Sequence, residues 1–130
     1  MNIKKLQFVI TFIVFIASTT LIGQTINVAE SLVNKDYTSI KSQLANELDV
    51  CIMDDTQINN KEETMSRISG FFSDKVISKY EVLHKGANNG SGSKYDVYKL
   101  ILPNRNIRAF VYFENEGDKM LIREIRFDKF

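Results

Sequence analysis

YDVYKLILPNRNIRAFVYFENEGDKMLIREIRF, residues 95–127, is the stretch that decides the fold of this chain. It holds three alternating or apolar runs separated by PNR and NEGDK, and each separator is a turn signal. A fourth run, YEVLH at 80–84, precedes it across GANNGSGS. Consecutive strands joined by short loops most economically form an antiparallel meander, so we expect one sheet in this half of the chain.

The first half of the chain carries the three-and-four spacing of helices instead. This pattern occurs in INVAESLVNK, residues 26–35, and again after Asp36, which is placed to cap a second helix that continues to Leu44. The run LDVCIM, residues 48–53, predicts the first strand. The polar connection at 54–59 has room for a short strand.

A third helix is predicted from residue 60 to residue 74. Asn60 followed by Glu63 has the spacing of a capping box. Apolar residues then form a stripe at helical spacing: Met65, Ile68, Phe71 and Phe72. Gly70 inside this helix predicts close approach of another backbone. Helices early and sheet late indicate an α+β domain, with the N-terminal helices packed on a curved, mainly antiparallel sheet.

The N-terminus has the pattern of a secretory signal. Lys4 and Lys5 precede an uncharged apolar run that becomes small or polar towards Gly23. We therefore predict a signal peptide at 1–23 and one mature domain at 24–130, exported to the periplasm or the extracellular space. Cleavage after Thr19 is the alternative. Polar residues break the run too early for a stable membrane span after cleavage.

Charge and cysteine content narrow the classes of partner. The chain has 17 Lys and Arg against 16 Asp and Glu, and removing Lys4 and Lys5 leaves 15 against 16, a balance of −1. A near-neutral chain has no long-range field to gather nucleic acid, so we expect no nucleic-acid partner. Cys51 is the single cysteine, and its apolar setting predicts a buried thiol rather than a nucleophile.

The glycine-rich segment GANNGSGS, residues 86–93, is interpreted as a flexible hairpin connection. It lacks the GK[ST] ending of a phosphate loop and is followed by a strand, not a helix. His84, the only histidine, ends the preceding strand, and period two places it on the face of Val82 and Tyr80 as a partly buried residue. A structural zinc site is excluded because other histidine and nearby cysteine ligands are lacking.

Several short motifs in this order resemble a family. They are Phe71 with Phe72, His84 with Gly86, Tyr95 with Leu100, Arg108 before an apolar strand, and LIREIRFD at 121–128. From residue 26 to its end, the chain resembles small exported bacterial proteins classed as a domain of unknown function in the nuclear transport factor 2-like superfamily. The resemblance implies a cone in which a curved sheet wraps around one long helix. Tyr98 replaces a small residue of the family pattern, which would narrow a cavity in the cone.

Three functions are compatible with this resemblance. The first is a non-catalytic binding domain that holds a small apolar or amphipathic ligand in the cone, through the polar groups of His84, Tyr98, Arg108 and Tyr112. The second is a structural or partner-binding domain that acts through the outer face of the sheet. The third, a cone-fold enzyme, would use His84, Asp49 or Asp96 to move a proton. No paired-carboxylate or nucleophile motif supports it, so we assign no catalytic residue, cofactor or metal.

The strand NIRAFVYFE, residues 106–114, bears on the second function. Its two alternating sets of side chains are both mostly apolar. Helices can cover only one face of a single sheet, so the opposite face should carry an apolar patch. We therefore expect the outer face to pair with another exported protein or, by preference, with a second copy as a homodimer.

Overall fold

The computed structural model of the chain describes residues 24–88 and 90–130. The predicted signal peptide and both cleavage sites considered for it lie outside these residues. The elements, in chain order, are α1 (Val28–Val33), α2 (Tyr37–Ser42), β1 (Leu44–Ile52), β2 (Asp55–Asn60), α3 (Lys61–Phe72), β3 (Lys79–Asn88), β4 (Ser93–Ile101), β5 (Asn106–Glu116) and β6 (Lys119–Lys129). Within this part of the chain, no helix is long and apolar enough to cross a membrane.

The strands form one six-stranded sheet in the order β2-β1-β6-β5-β4-β3. The predicted meander is confirmed, since β3, β4, β5 and β6 pair antiparallel with their neighbours in sequence. The pairing of β1 with β6 is parallel, and β2 returns beside β1 as an antiparallel strand. The α+β class and the mainly antiparallel sheet are therefore confirmed.

The boundary between α2 and β1 differs from the prediction. Helix α2 ends at Ser42, and Leu44, expected in the helix, already pairs with Ile122 of β6. The backbone N–H of Ile122 donates to the carbonyl of Gln43 at 2.8 Å. Leu44 has the apolar spacing of the helix, but it is buried as a residue of the sheet.

Helix α3 begins as the sequence predicts. The backbone N–H of Glu63 donates to Oδ1 of Asn60 at 2.9 Å, and the N–H of Asn60 donates to Oε1 of Glu63 at 3.1 Å. Phe72 is buried and meets Phe127 of β6 edge to face, with ring centroids 5.1 Å apart. The expectation for Gly70 is wrong: it is exposed, and a Cβ placed there would meet nothing within 4 Å.

A single arginine ties the β1–β2 hairpin to α3. The Arg67 guanidinium donates to the carbonyl of Val50 at 3.1 Å, to Oδ1 of Asn59 at 2.8 Å and to the carbonyl of Asp55 at 2.8 Å. These bonds to the backbone and to a buried amide connect the first two strands to the helix.

The core lies between the helices and one face of the sheet, the inner face. Along β5, every second residue belongs to it and is fully buried: Ile107, Ala109, Val111 and Phe113. Large side chains from the other elements complete this core: Leu32, Ile68, Phe72, Tyr98, Leu100, Ile122, Ile125 and Phe127. The opposite or outer face of the sheet carries no helix among the described residues.

Candidate functional site

The structure separates the four residues predicted to bind a ligand in the cone. Tyr98 is fully buried on the inner face, where it pairs across the sheet with Ala109. Arg108 and Tyr112 alternate with the buried residues of β5 and therefore lie on the outer face. His84 also lies on the outer face. The inner and outer residues cannot contribute to one pocket, so the grouping expected from the sequence is not assembled.

A β-bulge at Leu83 places His84 on the outer face. Val82 is opposite Tyr98, whereas His84 is opposite Val97, so the register shifts by one residue between them. A one-residue shift moves the following side chains to the other face of the sheet. The prediction that His84 is partly buried beside Val82 is therefore wrong, and its side chain is exposed.

Three aromatic rings cross the outer face in a continuous line, which we call the aromatic row: His84, Tyr95 and Phe110. The ring centroids of His84 and Tyr95 are 5.3 Å apart, and those of Tyr95 and Phe110 are 6.0 Å apart. Gly86 makes this row possible, because a Cβ at that position would lie 2.3 Å from Cε1 of Tyr95. The ring of Tyr95 therefore lies directly against the backbone of β3.

An acidic region lies on the outer face beyond the Phe110 end of the aromatic row, on β1, β6 and the last part of β5. We call its four carboxylates the acidic corner: Glu47, Asp49, Glu114 and Glu124. They line a groove of about 350 Å³, together with Leu48, Ile58, Tyr112 and Arg123. Arg123 lies 3.7 Å from Glu114 and 3.1 Å from Glu116, while Ile58 is 72% exposed. The groove combines net negative charge with an exposed apolar side chain.

Two cations lie on the outer face next to the row, at paired positions of β4 and β5. We call them the basic end: Lys99 and Arg108. Within residues 24–88 and 90–130, neither of them has a carboxylate within 4 Å. The ammonium of Lys99 lies 4.5 Å and the guanidinium of Arg108 lies 5.2 Å from the ring centroid of Phe130. These cations are held in place by an aromatic ring, and their charges face solvent.

A small polar cluster lies inside the cone. The Tyr98 hydroxyl donates to Oδ2 of Asp96 at 3.0 Å, and Nζ of Lys94 lies 4.0 Å from the same oxygen. Burial raises the pKa of Tyr98, and the neighbouring charge of Asp96 raises it further. The Asn27 side chain donates to the Tyr80 hydroxyl at 3.0 Å. The bond to Tyr80 links β3 to the segment before α1.

The three candidate acid or base residues are not brought together. Asp96 is buried on the inner face, whereas Asp49 on β1 and His84 on β3 are exposed, with three strands between them. Cys51 is buried, as predicted. In the described part of the chain, no group of three His, Cys, Asp or Glu side chains is placed to hold a metal ion.

The charge pattern of the outer face was not predicted from the sequence. Asp49 was expected only as a catalytic candidate, and the other members of the acidic corner were not expected at a site. Alternation of charge along β6, where Glu124, Arg126 and Asp128 occupy every second position, was the available signal. Arg126 lies 3.6 Å from Glu124 and 3.8 Å from Asp128.

Comparison with known proteins identifies the fold and a family. The sequence profile of DUF4783, a domain of unknown function, matches residues 25–128. A DUF4783 family protein from Bacteroides ovatus is similar at 18% identity and a TM-score of 0.74, over 82% of this chain and 96% of that one. Another from Bacteroides fragilis has 21% identity and a TM-score of 0.73, over 82% and 99%.

The wider fold similarity reaches an NTF2-like protein of unknown function from Cytophaga hutchinsonii. It shares 13% identity and a TM-score of 0.53, over 76% of this chain and 80% of that one. The fold is therefore nuclear transport factor 2-like, as expected. No curated protein matches the chain.

Proposed function

This chain belongs to the DUF4783 family, and we propose that it is an exported, non-catalytic interaction domain that binds a partner protein through the outer face of its sheet. The observation that carries this proposal is the aromatic row, His84, Tyr95 and Phe110, on the face opposite the core. Tyrosine, phenylalanine and arginine are the residue types enriched where proteins bind one another.

The surroundings of the row support the same function. Phe110 and Tyr112 are half-buried in the chain alone, and a partner would remove their remaining accessible surface from water. The Tyr112 hydroxyl donates to Oε1 of Glu114 at 2.9 Å, and Tyr112 lies opposite Tyr95 of the row on the neighbouring strand. His84, Arg108 and Tyr112, first considered as ligand-binding residues, become contact residues of this face.

The geometry favours the outer face over the cone. A ligand in the cone would have to displace the fully buried Tyr98, whose ring packs edge to face against Tyr80 at 5.9 Å between centroids. The cone carboxylate, Asp96, is itself buried and accepts the hydrogen bond of that same tyrosine. Tyr98 therefore acts as part of the core in this proposal.

Site-specific photocrosslinking in the producing cells tests the proposed face. A photoreactive phenylalanine analogue at Phe110 should yield a covalent adduct with a protein. The same analogue at Ser66, exposed on α3, is the matched control and should yield none. Adducts from both positions, or from neither, would contradict the proposal.

Export is tested separately. The basic start and apolar run before Gly23 lead us to expect a mature chain that begins near Gln24 and is released by osmotic shock. N-terminal sequencing of the released protein measures this directly. Full-length chain in washed membranes would contradict export with cleavage, while leaving the interaction face to be judged by crosslinking.

A further inference from the structure

We infer that the partner protein binds the basic end, Lys99 and Arg108, through an acidic segment that also places an apolar side chain on Phe130. This inference rests on the proposed function, since it names the chemistry that the partner of the outer face carries. The observation behind it is a group of cations at one end of the sheet that have no carboxylate within 4 Å in the described residues.

The strand register sets the position of the basic end. Lys99 of β4 lies opposite Arg108 of β5, so the two cations are neighbours on adjacent strands. Carboxylates flank the pair in the same register, with Glu81 of β3 opposite Lys99 and Asp128 of β6 opposite Arg108. Within the described part of the chain, neither carboxylate comes within 4 Å of the cation opposite it, and Asp128 lies 3.8 Å from Arg126. Both cations can therefore accept a carboxylate from another molecule.

Phe130 holds these two cations side by side. Their charged groups lie 4.5 Å and 5.2 Å from the centroid of its ring, and the residue is 52% exposed. Contact with the ring restricts two long side chains, so less conformational entropy is lost when a ligand binds them. The exposed part of the ring offers an apolar contact beside two positive charges.

A groove next to Phe130 adds two further cations. It has a volume of about 320 Å³ and is lined by Arg105, Asn106, Lys129 and Phe130. Over residues 24–88 and 90–130, neither Arg105 nor Lys129 has a carboxylate within 4 Å. Phe130 therefore adjoins both the basic end and this groove, so the cations of both lie near one exposed ring.

Other arginines of β6 already have carboxylate partners. Arg126 lies within 4 Å of the carboxylates on either side of it along β6, and Arg123 lies within 4 Å of two carboxylates of β5. On binding an acidic partner, these arginines would exchange one carboxylate for another, whereas Lys99 and Arg108 would gain a first ion pair. A near-neutral chain has no long-range attraction for acids, so the preference for an acidic segment comes from local contacts at the basic end.

The geometry of the basic end suits carboxylates on an extended segment. The Arg108 guanidinium can donate two parallel N–H bonds to one carboxylate, and the Lys99 ammonium can donate to a second. Alternate side chains of an extended segment point the same way and lie about 7 Å apart, a span that two long side chains on neighbouring strands can meet. Phe110 of the aromatic row is two residues from Arg108 on β5, so the same segment can continue onto the row.

Binding of a defined peptide tests the inference. The probe is a synthetic peptide of Glu and Ser with one central Leu, and its matched control has Gln in place of every Glu. NMR titration of the isotope-labelled protein at low salt should show that the Glu peptide binds about tenfold more tightly than the control. The amide shifts should be largest at Lys99, Arg108 and Phe130.

Paired variants locate the binding. Lys99→Gln with Arg108→Gln should abolish most of the preference for the Glu peptide. Lys35→Gln with Lys119→Gln removes the same charge from two exposed turns away from the basic end and should keep the preference. Circular dichroism first establishes that both variants are folded. The comparison of the two peptides uses wild-type protein, so it decides the inference even where a variant does not fold.

The outcomes separate the inference from the proposed function. Equal binding of the two peptides, an unchanged preference without Lys99 and Arg108, or the same loss in both variants would overturn the inference. An adduct from position 110 combined with equal binding of the two peptides would retain the interaction face and reject the acidic segment. A Glu peptide bound at the basic end, without any adduct from position 110, would retain the acid preference and reject the row as the contact site.

Discussion

The two faces of β5 have similar amino-acid composition, but the side chains of one face are fully buried and those of the other are partly accessible. Ile107, Val111 and Phe113 are fully buried on the inner face, whereas Phe110 and Tyr112, one residue away, keep part of their surface accessible on the outer face. The difference is the neighbour: helices cover one face, and in the described residues none covers the other. An apolar residue in a strand therefore indicates a buried position. The fold decides whether the residue is buried in the core or in an interface with a partner.

The largest expected effect is on the inner face. Phe72→Ala removes a ring packed against Phe127 and leaves a cavity, so the free energy of unfolding should fall by about 3–5 kcal/mol. Urea denaturation monitored by circular dichroism measures it. Ser66→Ala, on the exposed side of the same helix, is the control. A loss below about 1 kcal/mol would mean that α3 does not anchor the core.

The second-largest expected effect tests the packing of Tyr95, the middle ring of the aromatic row, against β3. Gly86→Ala places a Cβ 2.3 Å from Cε1 of Tyr95, so the ring must move, and we expect a loss of about 1–3 kcal/mol in unfolding free energy. Gly90→Ala is matched, because its Cβ would have no atom closer than 3.5 Å. Equal melting of the two variants would show that Tyr95 does not lie against the β3 backbone.

A pH dependence distinguishes the buried tyrosine from the accessible one. The folded-state pKa of Tyr98 is raised above its unfolded value by burial and by the charge of Asp96. A raised pKa contributes stability that is complete below the unfolded pKa of about 10 and is lost as pH rises towards the folded value. We therefore expect unfolding free energy to fall above about pH 10.

The matched substitutions for this pH dependence are Tyr98→Phe and Tyr112→Phe. Tyr98→Phe should reduce the alkaline fall in stability, whereas Tyr112→Phe should keep it, because Tyr98 remains. Chemical denaturation at several pH values measures both. An unchanged alkaline fall in Tyr98→Phe would contradict the assignment.

The smallest expected effect on stability is on the outer face. Phe110→Ser should lower the unfolding free energy of the isolated chain by about 1–2 kcal/mol, less than Phe72→Ala, because part of the Phe110 ring is accessible to solvent. The measurement is made at a concentration too low for association. A loss of unfolding free energy as large as that of Phe72→Ala would mean that Phe110 is as important for the stability of the isolated chain as a core residue.

Local patterns were sufficient for the elements. The capping box at Asn60 and Glu63, the meander of β3 to β6 and the burial of Phe72 and Cys51 were all expected from the sequence. Each depends on residues close together in the chain, whose spacing or setting directly reflects helix or strand geometry. The candidate site was predicted less well, since only its sheet face, and not its charge pattern, was inferred.

The sequence by itself determined the α+β class, the order of helices and strands and the alternation of β5, because these follow from short-range periodicity. Tertiary structure alone decided which alternating set faces the helices and where the register shifts. The bulge at Leu83 turned His84 outward, and pairing with β6 drew Leu44 from the helix into β1. It also placed Asp49 and Arg108, which are far apart in the chain, on the same outer face of the sheet. Such positions depend on contacts between distant segments, which no local spacing encodes.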